Sequence, residues 1–130
     1  MLRTFAIVCV LLVGLAAPRG WCVDAITLLS AVTVDTTSST FTLPLKTHTA
    51  GSDQHHYSVF VSSSDFGSGT VTIELSVDGG SNWFTARSPS DAQASFTQSD
   101  HLIIETPRSG LLRARLNGST SPSALTVQIL

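Results

Sequence analysis

Residues 70–84 read TVTIELSVDGGSNWF, Thr70 to Phe84, and their reading decides the fold. Val71, Ile73, Leu75 and Val77 fall on one face, while Thr70, Thr72, Glu74 and Ser76 fall on the other. That period-two alternation is the signature of a half-buried antiparallel strand. Asp78-Gly79-Gly80 follows, and Asp-Gly between apolar runs signals a chain reversal, because glycine accepts positive φ freely. Asp78 is placed to accept hydrogen bonds from nearby backbone amides, and Ser76 can do the same from one strand position earlier. Trp83 then offers a large apolar surface, expected to anchor the hairpin against the core. Ser76, Asp78, Gly79, Gly80 and Trp83 are thus read as a structural turn.

Working outward, the same alternation recurs. "HYSVFV" puts Tyr57, Val59 and Val61 in phase, "LLRARLN" aligns Leu112, Ala114 and Leu116, and "ALTVQIL" aligns Leu125, Val127 and Ile129. Arg113 and Arg115 are sent to solvent by this phase. Weaker strands are expected at "AITLLSAVTV", "STFTLPL", "WFTAR" and "SDHLIIET", with turn clusters such as "DTTSS", "SSSDFGSG", "SPSDAQ" and "NGSTSPS" between them. Pro44 demotes its segment to an edge, since proline cannot donate to a ladder. The expectation is an all-β fold, a single antiparallel β-sandwich or jelly-roll-like domain of seven or eight short strands over residues 26–130.

Residues 1–25 have a different character. Arg3 precedes an uncharged apolar run from Phe5 to Ala17, and Pro18, Arg19 and small residues follow. This is the order of a secretory signal, with cleavage expected after Ala25. The run is shorter than the roughly 20 apolar residues of a membrane span, so membrane contact is expected only during export. Trp21 before Cys22 excludes a lipoprotein signal. Both cysteines, Cys9 and Cys22, lie in this leader, so neither a disulfide framework nor a cysteine-ligated metal is expected in the domain.

The domain's five basic residues, Lys46, Arg87, Arg108, Arg113 and Arg115, are scattered. No cationic stripe offers a path for a phosphate backbone, and nucleic acid is not an expected partner. About a third of the residues after Ala25 are Ser or Thr, a surface kept soluble by hydroxyls, which suits a β protein outside the cytosol.

Chemistry is sought and none is expected: no catalytic residue, no cofactor and no metal. An EF-hand needs several more oxygen ligands than "DGGSNWFTARSP", which carries one carboxylate. His48, Asp53, His55 and His56 gather in "HTAGSDQHH", but adjacent histidines of a strand point to opposite faces. No Gly-x-Ser-x-Gly elbow occurs. Glu74 and Glu105 are the most plausible carboxylate pair, with Glu74 expected to face solvent and nothing in the sequence linking the two. Asn117-Gly118-Ser119 is formally a glycosylation sequon and equally a hairpin turn, and the turn is favoured. Phe66 and Phe96 sit in loops, where a large ring must be buried or offered to a partner. Both are candidate interface residues.

The pattern at 76–83 resembles the Asp-box, Ser/Thr-x-Asp-x-Gly-x-Thr/Ser-Trp, with Asn82 in place of the usual hydroxyl residue. Where that motif occurs it is a structural hairpin away from catalytic faces, and this chain holds a single copy, too few for a propeller. Over residues 26–130 the order of segments also resembles the small β-sandwich virion proteins of tailed bacteriophages, the decoration, head-fibre and tail-associated modules. The specific parts are "GSGTVTIELSVDGGSNWF", residues 67–84, and "LLRARLNGSTSPSALTVQI", residues 111–129. The resemblance implies a non-enzymatic building block on a virion surface or similar extracellular assembly. It would self-associate and contact other assembly proteins through edge strands and apolar loops. The leader favours an alternative, a secreted module that binds glycans or acts in adhesion.

Overall fold

The computed structural model describes residues 25–44 and 54–130. The leader with Cys9 and Cys22, and the stretch holding Lys46, His48 and Asp53, lie outside the described residues.

Ten strands are present among the described residues: β1 (Ile26–Val32), β2 (Thr36–Thr37), β3 (Phe41–Leu43), β4 (Gln54–Ser62), β5 (Thr70–Ser76), β6 (Phe84–Thr85), β7 (Ser95–Phe96), β8 (Asp100–Pro107), β9 (Gly110–Asn117) and β10 (Leu125–Ile129). They form two antiparallel sheets. One has four strands in the order β1-β10-β4-β8. The other has six, in the order β2-β9-β5-β6, with β3 also paired to β9 and β7 to β5. The all-β sandwich read from the alternation is what the chain forms. The count rises from seven or eight to ten because β2 falls in "DTTSS" and β7 in "ASFTQSD". Each is two residues long, too short to show a period. β3 ends at Leu43, immediately before Pro44, and among the described residues pairs on one side only.

The in-phase residues meet between the sheets. Val59, Val71, Ile73, Ile104, Leu112, Ala114, Leu125, Val127 and Ile129 have no exposed surface. Each buried branched or aliphatic side chain of this size contributes about 1.5–3 kcal/mol relative to exposure. Val77 departs from expectation. It continues the inward phase of β5 but is 64% exposed, because the strand ends at Ser76 and the next residues leave the sandwich.

The edges of both sheets are interrupted. β1 carries two register shifts against β10, between Thr27 and Leu29 and between Leu29 and Val32. Ala31 in the same strand has φ 49°, a left-handed geometry that bends the strand. On β8 the Glu105 amide donates to the Arg87 carbonyl at 2.8 Å. The His101 amide of the same strand is capped by Asp100 Oδ1 at 2.8 Å. The outer strands of the six-stranded sheet are two or three residues long. Such bulges, caps and short pieces blunt a strand against pairing with another chain.

Candidate functional site

The hairpin from β5 to β6 is wider than a two-residue turn, since Leu75 pairs with Phe84 and Glu74 with Thr85. Asp78 holds it closed. Its Oδ1 accepts from Ser76 Oγ at 2.7 Å and from the Asn82 amide at 2.9 Å, and its Oδ2 accepts from Asn82 Nδ2 at 2.6 Å. Ser76 Oγ in turn accepts from the Gly80 amide at 2.9 Å. These donors favour the anion, with the Asn82 amide first, and lower the Asp78 carboxyl from 3.8 to about 2. Gly79 and Gly80 supply two consecutive positive φ angles, 74° and 94°, which side chains rarely adopt. Asn82, where the resembling motif has a hydroxyl residue, contributes the side-chain bond to Oδ2.

Trp83 is not where the sequence places it. It does not anchor the core between the sheets; it lies on the outer face of the six-stranded sheet. Its Nε1 donates to the Gly80 carbonyl at 3.0 Å, and the Arg113 guanidinium sits 3.9 Å from its ring centroid. Arg113 and Glu74 are opposed in the β9–β5 register and joined by a 2.6 Å Nε–Oε2 ion pair. Their side chains are only 24% and 14% exposed, respectively. Arg113 and Glu74 thus point outward as the alternation requires, yet the indole and each other cover them instead of solvent. Arg115 Nη1 approaches Glu74 Oε1 at 3.9 Å. Ser76, on the same outward phase, is fully buried beneath the hairpin.

The two loop phenylalanines are also corrected. Phe66 and Phe96 are each 6% exposed and belong to the core, so neither is presented to a partner. Phe96 pairs with Val71 through β7 and takes the inward phase. The loop that carries Phe66 is braced within itself and against the 117–123 turn. The Asp65 side chain accepts from the Gly67 amide at 2.7 Å, and the Thr120 amide donates to the Gly67 carbonyl at 2.7 Å. A Cβ on Gly67 would meet Thr120 O at 2.3 Å, so only glycine permits this approach.

The apolar surface lies elsewhere. Phe60 is 40% exposed and Ile103 49%. Both take the outward phase of the four-stranded sheet, and Phe60 stacks on His101 at 5.9 Å between ring centroids, 16° apart in plane. Sequence reasoning passed over them, although the signal was present. In "HYSVFV" the phase of Tyr57, Val59 and Val61 sends Phe60 outward, and in "HLIIE" three consecutive apolar residues cannot all face one side. Beside this patch, Ser88, Pro89 and Ser90 flank β8 across a shallow groove lined by His101, Leu102 and Ile103.

A second groove, of about 470 Å³, is lined by Arg87, Ser88, Pro89, Asp91, Glu105, Thr106 and Pro107. Several of its polar groups are engaged in structure. Arg87 Nη1 pairs with Asp91 Oδ1 at 2.8 Å, Ser88 Oγ accepts from the Ala92 amide at 3.0 Å, and Thr106 Oγ1 contacts the His55 carbonyl at 3.5 Å. Glu105 and Glu74 stand in different sheets. His55 and His56 are consecutive in β4 and alternate faces. Among the described residues no group of three or more His, Cys, Asp or Glu side chains is placed to hold a metal ion.

No protein-family model, curated protein or solved structure matches the chain.

Proposed function

We propose that this chain is a non-enzymatic structural module of a virion or similar extracellular surface assembly, acting through protein–protein contacts that include self-association. The observation that carries this reading is the patch of Phe60, Ile103 and the stacked His101 on the outer face of the four-stranded sheet. Val34, Val77, Phe84 and Leu130 are exposed as well, but Phe60 and Ile103 share one sheet face with a stacked ring, and clustered apolar side chains mark a contact face. The blunted edges and the inward Phe66 and Phe96 direct association to this sheet face, away from the edge strands and loops that the sequence suggested. The resemblance of residues 67–84 and 111–129 to tailed-phage virion modules supports the same reading.

Light scattering coupled to size-exclusion chromatography over a range of concentrations tests it. Wild type is expected to associate, and a Phe60→Ser/Ile103→Ser double variant to remain monomeric with an unchanged fold. A wild-type monomer at every concentration overturns the proposal.

One observation favours the alternative of an exported glycan-binding module: the Phe60–His101 pair, with ring planes 16° apart, presents aromatic surface against which a pyranose could pack. Saturable binding in a glycan screen, lost in Phe60→Ser without a change in oligomeric state, would promote it over the first reading.

A further inference from the structure

The turn after β9 holds a dipeptide with reactivity of its own. Asn117 is the last residue of β9, is exposed, and precedes Gly118. Among the described residues the Asn117 side chain has no hydrogen bond. Gly118 has φ 72°, and a Cβ placed on it would meet nothing within 4 Å. No side chain therefore crowds the residue that follows the asparagine.

The backbone nitrogen of that residue is held. The Gly118 amide donates to Asp35 Oδ2 at 2.8 Å and the Ser119 amide to Asp35 Oδ1 at 2.8 Å. The Ser119 hydroxyl also donates to Oδ1. Asp35 reaches across from the β1–β2 connection, 83 positions earlier in the chain.

We propose that Asn117 is a spontaneous modification site, an amide set to convert to aspartate and isoaspartate, and that Asp35 restrains the conversion by holding the attacking nitrogen. In the reaction the Gly118 nitrogen gives its proton to hydroxide and attacks Asn117 Cγ. The N–Cγ bond forms as the Cγ–Nδ2 bond breaks, and the side-chain nitrogen takes a proton from water and leaves as ammonia, giving a succinimide and regenerating hydroxide. Water adds to one of the two ring carbonyls and opens the ring. Attack at one carbonyl yields aspartate; attack at the other yields isoaspartate. A hydrogen bond to a carboxylate opposes the first step, because the N–H proton must be lost and the nitrogen must swing toward Cγ.

The product acts on the fold. A new carboxylate at position 117 stands beside Asp35, and isoaspartate adds a backbone methylene where Asn117 is in register with Thr70. The loop that carries Phe66 is tied to this turn through Thr120 and Gly67, so conversion loosens that loop.

The test is peptide mapping by mass spectrometry on the full chain produced in bacteria, where Asn117 carries no glycan, incubated at mildly alkaline pH. Folded wild type is expected to convert slowly and Asp35→Ala roughly tenfold faster, the factor that loss of a charge-assisted hydrogen bond implies. Asp35→Asn, which keeps an acceptor oxygen, should fall between them. Asn117→Gln removes the signal and confirms the assignment. Equal or slower conversion in an Asp35→Ala chain that retains its circular dichroism spectrum overturns the proposal. Should that variant unfold, equal rates in folded and urea-unfolded wild type overturn it instead.

Discussion

The Arg113 guanidinium lies over the Trp83 ring at 3.9 Å while its Nε holds Glu74 Oε2 at 2.6 Å. One side chain thus fastens the β5–β6 hairpin to the neighbouring strand β9. A planar guanidinium can stack and donate at once, which an ammonium on a flexible stem does poorly.

Arg113→Ala is therefore expected to destabilise the fold by about 1–2 kcal/mol, combining the lost stack with the lost partner of a mostly covered carboxylate. Arg113→Lys should recover less than half of this. Urea unfolding followed by tryptophan fluorescence measures both. A change within experimental error for Arg113→Ala would remove the fastening role.

Asp78 gives a pH dependence with a definite sign. Its carboxyl is lowered on folding, from 3.8 to about 2. The stabilisation is fully present above 3.8 and is lost as pH falls through about 2. Asp78→Ala should lower Tm near neutral pH, and the gap to wild type should close as the melts are taken down to about pH 2. A gap that persists unchanged at low pH would assign the loss to packing and not to the carboxylate.

Tyr57 is 8% exposed, and its buried hydroxyl has no hydrogen-bond partner among the described residues. Removing an unsatisfied buried hydroxyl relieves a desolvation cost, so Tyr57→Phe should be neutral or stabilising by up to about 1 kcal/mol. The same burial raises the phenol above its ordinary 10.0. Its contribution to stability is present below pH 10 and is lost as pH rises through the folded value, a loss that Tyr57→Phe abolishes in alkaline melts.

Two phenylalanines separate loop from core. Phe66→Ala should cost about 3–5 kcal/mol, as for a fully packed ring. Phe84, 62% exposed in β6, should change stability by no more than about 0.5 kcal/mol on truncation to alanine. Denaturant midpoints decide the order, and a Phe66→Ala chain as stable as wild type would return that ring to the list of contact candidates.

Period-two alternation was enough to specify the longer strands and the face of each that turns inward. Where a strand is long, as in β5, β9 and β10, the pleat ties each side chain's direction to its sequence parity, so the inward set is legible from residue order alone. The Asp78 turn was legible for a similar reason: its donors lie within four positions of it. What the chain order could not supply was the covering of outward residues. Trp83, Arg113 and Glu74 come from the β5–β6 turn, β9 and β5, and only the register of β9 against β5 brings them together. Phe66 and Phe96 looked like loop residues because their burial depends on segments far away in sequence, the 117–123 turn for one and the two-residue pairing with Val71 for the other. Direction is a local property of the backbone; coverage is decided by what the other sheet and the distant loops place on top.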